Sequence, residues 1–130
     1  MDICELSDLL GKKFEIGGRG PDTFDCYGLC LEIAHRLKVN LPEVYTPDSL
    51  EMRNEAVLAY KSEYKKLNKP LPWCGVVFII KAPFISHMGI VLPDCKRFIH
   101  IMTKSKVSIE RLNSIVWQRR IAGFYELTTN

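Results

Sequence analysis

Cys26 is the residue whose sequence neighbours are most typical of a catalytic nucleophile. It follows a loop punctuated by Gly17, Gly18 and Gly20, and Asp25 stands directly before it, where a helix N-cap is expected. A thiol attacks only as thiolate, and the free N–H groups and dipole of a helix start stabilise negative charge. The same N–H groups can hydrogen-bond the oxyanion of a tetrahedral intermediate. The pattern therefore predicts a nucleophile at Cys26.

The other cysteines fit structural roles better. Five cysteines are an odd number in a chain long enough to build a core, which favours reduced thiols over a disulfide framework. Cys30 falls on the apolar face of the same helix and is predicted to be core. Cys74 and Cys95 lack the short spacing of structural zinc ligands. We therefore predict no metal site among the cysteines.

A cysteine nucleophile needs a base, and the chain has three histidines. His35 lies nine residues beyond Cys26 on the same predicted helix, about two and a half turns away and out of reach. His87 and His100 remain as the candidates for the base and for the residue that orients it.

Hairpin geometry brings these two histidines together. If residues 87–92 and 98–102 pair around a tip at Asp94 and Cys95, paired residue numbers sum to 189 and His100 faces Gly89. His87 is then a diagonal neighbour of His100 on the same face, roughly 7 to 8 Å away at the backbone. A loop one residue longer would put them on opposite faces.

The elements that position these residues are helices first and strands second. Apolar spacing predicts helices over residues 3–11, 27–38 and 52–67. Short apolar runs separated by turn residues predict strands over 76–80, 87–92, 98–102, 107–109 and 121–127. Helices followed by a sheet indicate an α+β fold, and 130 residues of ordinary globular composition predict one domain over residues 1–130.

Charge and hydropathy exclude two partner classes. The formal net charge is +3 and the basic residues are scattered, which argues against nucleic acid. No run approaches the roughly twenty apolar residues of a membrane span, so a membrane partner is not expected. The first residues lack a basic start and an apolar signal segment, which predicts a protein that is cytoplasmic as synthesised.

Three segments carry a family resemblance. Residues 17–29, from Gly17 to Leu29, closely resemble the nucleophile segment of NlpC-type cell-wall peptidases, a papain-like family. Residues 87–92 and 97–100 resemble that family's base and third-residue strands. The resemblance extends from Leu10 to Tyr125, and the Gly-Arg-Gly-Pro lead-in to Cys26 resembles the branch found in phage tail-tip assembly proteins.

The resemblance implies a papain-like fold and a cysteine endopeptidase without cofactor. Such enzymes cut the peptidoglycan stem peptide, typically between D-glutamate and the following diamino acid. Cys26 would be the nucleophile, His87 the base and His100 the orienting residue. Asp25 would receive the free amino end of the stem peptide. Phage tail-tip proteins are the further partners implied, and delivery by a virion would account for the missing export signal.

Two positions depart from the family pattern, and a third has an open role. Tyr27 stands where relatives often have serine, and Phe14 where they often have tyrosine; both positions line the substrate cleft in relatives. Arg19 can bind a substrate carboxylate or simply be solvated. Two alternatives stay open: a structural tail-assembly module with weak or vestigial activity, and a thiol amidase or acyltransferase acting on a substrate outside the wall.

Overall fold

The chain folds into helices packed on an antiparallel sheet, and the predicted α+β class is confirmed. The computed structural model describes residues 1–47 and 49–129, with side chains as far as residue 127. The helices are α1 (Cys26–Arg36), α2 (Leu50–Glu63) and α3 (Ile115–Gln118). The strands are β1 (Lys13–Phe14), β2 (Thr23–Phe24), β3 (Tyr64–Leu67), β4 (Gly75–Lys81), β5 (Phe84–Val91), β6 (Arg97–His100), β7 (Ser108–Arg111) and β8 (Ile121–Thr129). The predicted single domain of residues 1–130 includes positions 48 and 130, which lie outside the described residues.

The N-terminal segment is shorter in regular structure than predicted. In place of a helix over residues 3–11 there is a single 3₁₀ turn, Ile3–Leu6. Asp2 and Glu5 form a reciprocal capping box around this turn, and Ser7 N–H donates to the Cys4 carbonyl three residues back. Bonds of this spacing tighten the chain into 3₁₀ geometry, which rarely extends beyond one turn.

The nucleophile helix α1 forms where the sequence predicts it. The Asp25 side chain caps it by accepting a hydrogen bond from Gly28 N–H, so Cys26 is its first residue. Leu29 and Ile33 are among its buried residues, which lie on one face as the apolar spacing requires. The helix ends at Arg36, before the predicted end at residue 38, where Lys38 turns into the left-handed region with φ 61°.

The second helix, α2, ends four residues earlier than predicted. Ser49 caps its start, and none of its described residues is buried. Residues 64–67 leave the helix and form the edge strand β3, which pairs with β8. Tyr64 is thereby buried and stacks on Tyr60 with ring centroids 4.1 Å apart. Sheet pairing and aromatic burial outweigh the helical propensity of this segment.

The main sheet has six antiparallel strands in the order β3-β8-β4-β5-β6-β7. Alternate residues point to opposite faces and feed two separate apolar clusters. The first packs against α1 and includes Val77 and Ile90 from the sheet. The second gathers Phe78, Phe98 and Trp117. The five predicted strands are all present; β1, β2 and β3 were not predicted.

The hairpin of β5 and β6 has the predicted register. Ile90 pairs with Ile99 and Val91 with Phe98, so both pairs follow the predicted sum of 189. Its loop is closed by the Leu92 N–H, which donates to the Arg97 carbonyl, and Cys95 at the tip adopts a positive φ of 59°. The register that places His87 and His100 on one face is confirmed.

Candidate active site

Cys26 opens into a largely apolar cleft between α1, α2 and β5. The thiol residue is half-buried, and the cavity beside it has a volume of about 240 Å³. His87 and Met88 line the cavity from β5. Most of the remaining lining is aromatic or aliphatic: Tyr27, Pro42, Val44, Tyr45, Ala56, Val57, Tyr60 and Tyr64. The candidate nucleophile therefore lies at the wall of an apolar pocket.

The resting state of Cys26 is a protonated thiol. Burial, and next the charge of Asp25, raise its pKa to about 11. The backbone N–H of Met88 and the charge of Arg53 act in the opposite direction. These two groups could stabilise the thiolate, but burial dominates, so the thiol needs a base to become nucleophilic at neutral pH.

His87 and His100 form a hydrogen-bonded pair beneath this cleft. His87 Nε2 lies 2.9 Å from His100 Nδ1, and the two residues are 4% and 2% exposed. Their contact is the diagonal one that the hairpin count predicts. His35, in contrast, is exposed in the last turn of α1.

Aromatic rings surround the histidine pair. The ring centroid of Phe78 lies 5.4 Å from that of His87, and the ring of Trp117 lies 4.7 Å from that of His100. Burial in this apolar setting, and then the neighbouring His100, lower the pKa of His87 to about 3. The imidazole is neutral at physiological pH and can accept a proton.

The thiol and the imidazole are neighbours without a bond in the resting structure. Both line the cleft, but within the described residues no hydrogen bond joins Cys26 to His87. With a raised cysteine pKa and a lowered histidine pKa, the two are both neutral between about pH 3 and pH 11. The two groups therefore form no ion pair at rest, and a catalytic role would require proton transfer during the reaction.

The buried imidazole makes stability sensitive to acid. The pKa of His87 is about 3 in the folded chain and about 6.5 when unfolded, so the unfolded state binds protons first as pH falls. We expect full stability above about pH 6.5 and a loss of a few kcal/mol as the pH falls towards 3. Urea unfolding of wild-type and His87→Gln protein between about pH 3 and pH 7 measures this loss. The free energy of unfolding should depend less on pH in the variant. Parallel curves for the two proteins would contradict a lowered pKa of His87.

Asp25 and Arg19 are engaged with each other inside the nucleophile loop. Asp25 is 1% exposed and accepts hydrogen bonds from Gly17 N–H, Gly28 N–H and Arg19 Nη1, at 2.9, 2.6 and 2.8 Å. Arg19 also binds the Glu43 carboxylate at 2.8 Å. Neither side chain lines the cleft. Their substrate-binding roles stay predictions, and their observed contacts hold the loop onto the helix.

Of the two positions that depart from the family pattern, one lines the cleft. Tyr27 does so, and its hydroxyl donates to the Pro42 carbonyl. Phe14 lies in β1, where its N–H donates to the Ser105 carbonyl, and it borders a different surface depression beside Lys104. The structure thus brings together Cys26, Tyr27, His87 and His100, and leaves Phe14 apart.

Sequence reasoning missed three residues around the site. Arg53 reaches the cleft from α2, Trp117 covers the histidine pair, and Glu110 lies 3.6 Å from His100 Nε2. The strand count that paired His87 with His100 could have found Glu110, because β6 and β7 repeat the same diagonal step. Arg53 and Trp117 belong to helices whose docking no local pattern reveals.

A half-buried cysteine at the start of a helix and a buried histidine pair on an antiparallel sheet lie here within a papain-like fold. The profile of the NlpC/P60 family matches residues 11–126, and the chain belongs to that family. Members of the family are typically cell-wall cysteine peptidases. The search of curated proteins found no match.

Solved structures of the same family share the fold. The chain is 21% identical to a protein described as similar to lipoprotein, NLP/P60 family, from Staphylococcus aureus, with a TM-score of 0.68 over 98% of this chain and 40% of that one. It is 21% identical to NlpC2 from Trichomonas vaginalis, with a TM-score of 0.70 over 98% of this chain and 45% of that one. NlpC1 from the same organism is 20% identical, with a TM-score of 0.70 over 96% and 42%. The chain thus spans less than half the length of these proteins, which are similar to it in fold.

Two further observations concern membranes and metals. None of the helices in the described segments is long and apolar enough to cross a membrane. Across residues 1–47 and 49–129, no group of three or more histidine, cysteine or acidic side chains is arranged to hold a metal ion.

Proposed function

We propose that this chain is a cysteine endopeptidase that hydrolyses an amide bond in the peptidoglycan stem peptide. The single observation that carries the proposal is that His87, hydrogen-bonded to His100, lines the same cleft as Cys26. Family membership supports the cell wall as the source of the substrate. The bond between D-glutamate and the diamino acid is the one we propose to be cut, on the resemblance of the nucleophile segment.

The proposed mechanism follows from the neutral resting state. His87 removes the thiol proton of Cys26 as the sulfur attacks the scissile carbonyl, and His100 stabilises the imidazolium that forms. Free N–H groups at the start of α1 hold the oxyanion. The leaving amine takes the proton back from His87, and a water molecule, activated by the same imidazole, then releases the acyl group from sulfur. Because thiol and ring are not bonded at rest, we expect substrate binding to bring them into contact.

The setting we propose is a phage or prophage tail. Support comes from the Gly-Arg-Gly-Pro segment before Asp22, which resembles the phage tail-tip branch of the family. In that setting the chain is made in the cytoplasm, binds tail-tip proteins and reaches the wall with the virion. In the alternative hypothesis, the chain is an assembly module with vestigial activity that still binds tail-tip proteins but does not hydrolyse peptidoglycan.

One observation favours a second candidate function, a thiol amidase or acyltransferase on a substrate outside the wall. The cleft is mostly apolar, while Asp25, the acidic group implied to receive an amino end, is buried against Arg19. Tyr45 and Val44 extend the apolar lining outwards and are 80% and 45% exposed. Such a lining suits an aliphatic acyl group better than a zwitterionic peptide.

Mass spectrometry of digested peptidoglycan separates these functions. Purified wild-type protein should release muropeptides cut at one amide bond, and Cys26→Ala protein should release none. Cys95→Ala is the matched control, because Cys95 lies on the β5–β6 hairpin tip and should leave the products unchanged. Intact muropeptides together with acylation of Cys26 by an acyl thioester would favour the second candidate; intact muropeptides without acylation would favour the assembly module.

A further inference from the structure

We propose that Glu110 is a positioning residue of the site: its carboxylate fixes the ring tautomer of His100 and, through it, that of His87. This inference rests on the proposed function of His87 as base. It adds a fourth member to the Cys26, His87 and His100 arrangement. Nothing in the nucleophile segment or in the two histidine strands indicates this residue.

The sheet brings Glu110 to His100 by strand geometry. In the pairing of β6 with β7, His100 faces Ser108 and Phe98 faces Glu110. Glu110 and His100 are therefore diagonal neighbours on one face, the relation that His100 has to His87 one strand earlier. Glu110 Oε2 lies 3.6 Å from His100 Nε2. His87, His100 and Glu110 thus lie diagonally next to one another on the adjacent strands β5, β6 and β7.

His100 needs such a partner. Its Nε2 atom is buried and, among the described residues, makes no hydrogen bond. A buried ring nitrogen left without a partner is costly. The Glu110 side chain is 41% exposed and has room to rotate, so a small movement brings its carboxylate to hydrogen-bond distance.

The tautomers follow from one another along the chain of rings. If the Glu110 carboxylate accepts a hydrogen bond from the Nε2–H of His100, then Nδ1 of His100 carries no proton and can only accept a hydrogen bond. His87 Nε2, 2.9 Å away, must then carry the proton that it donates. That leaves Nδ1 of His87 without a proton, which is the state a general base requires.

The electrostatics act in the same direction. Burial lowers the pKa of His100, and the charge of Glu110 opposes this effect. The titratable groups that act on the His100 ring within the described part of the chain are His87 and Glu110. The other close neighbours of the His100 ring are the rings of Phe98 and Trp117. Arg120 stacks on the Trp117 ring, with its Cζ 5.7 Å from the ring centroid. Within the described residues, Glu110 is thus the anion that faces His100 when His87 takes up a proton.

Three substitutions at Glu110 test the inference in full-length protein. We expect Glu110→Ala to lower kcat on muropeptides about tenfold with KM unchanged, because an orienting contact acts on the reacting group and not on substrate binding. Glu110→Gln should be intermediate, since its amide oxygen still accepts but carries no charge. Glu110→Asp should recover part of the rate. Arg111→Gln, on the same strand but exposed, is the matched control and should keep wild-type kcat.

A spectroscopic readout keeps this test independent of turnover. Nitrogen NMR of the histidine rings should show His100 in the Nε2–H form in wild-type protein, with a mixed population in Glu110→Ala. If wild-type protein cuts no muropeptide, the proposed function fails while the NMR comparison still decides the role of Glu110. Unchanged ring tautomers in Glu110→Ala would overturn the inference, as would a loss of kcat in all three variants that only follows a loss of thermal stability.

Discussion

Replacing His87 by alanine is expected to lower muropeptide hydrolysis at least about 10³-fold while leaving alkylation of Cys26 in the free protein within a few-fold of wild type. The two effects separate because the resting thiol and imidazole are not hydrogen-bonded, and the Cys26 pKa of about 11 is raised by burial and by the charge of Asp25, with no contribution from a charge on His87. In turnover the same ring must remove the thiol proton. Steady-state kinetics and iodoacetamide labelling followed by mass spectrometry measure the two rates.

The pH dependence of labelling provides an internal check. Since the Cys26 pKa is raised to about 11, the thiolate fraction and the alkylation rate should climb about tenfold per pH unit from pH 7 to pH 10. Cys26→Ala serves as the control for both assays, because it removes the labelled sulfur and the nucleophile together. A plateau of labelling below pH 7 that disappears in His87→Ala would show a standing thiolate–imidazolium pair and would contradict the neutral resting state.

Replacing Gly28 by alanine is expected to destabilise the fold by about 3 kcal/mol or more and to abolish activity with it. A Cβ at this buried position in the first turn of α1 would overlap the carbonyl oxygen of Gly18. That carbonyl cannot easily withdraw, since it accepts from Asp25 N–H at 3.2 Å and from Arg19 Nη1 at 3.0 Å. The nucleophile loop and the helix that carries Cys26 would be forced apart.

Gly17→Ala is the matched control within the same loop. Its Cβ would meet nothing within 4 Å, although its φ of +78° is strained for a residue with a side chain. We expect a cost of only about 1 kcal/mol from that strain. Chemical denaturation of both variants measures the difference, and equal stabilities would mean that close contact between loop and helix is not what position 28 requires.

The sequence alone determined the parts of the site that depend on local pattern. A capping aspartate before an apolar helix period places Cys26 at a helix start, because N-cap chemistry is decided within a few residues. The count across the β5–β6 hairpin placed His100 beside His87, because strand alternation and turn length fix a register without help from the rest of the chain. The α+β class followed because apolar patterns typical of helices come first along the chain and those typical of strands come second.

Tertiary structure decided what depends on contacts between distant segments. The helix predicted to reach residue 67 ends at Glu63 because β8 offers Tyr64 a strand partner and a buried position. Asp25 is enclosed by Arg19 and Gly17, since a buried carboxylate requires partners and the loop supplies them, and its role towards substrate stays a prediction. Glu110 comes within 3.6 Å of His100 across β6 and β7. In each case the deciding interaction forms only when separate segments pack together, which no pattern within a single segment specifies.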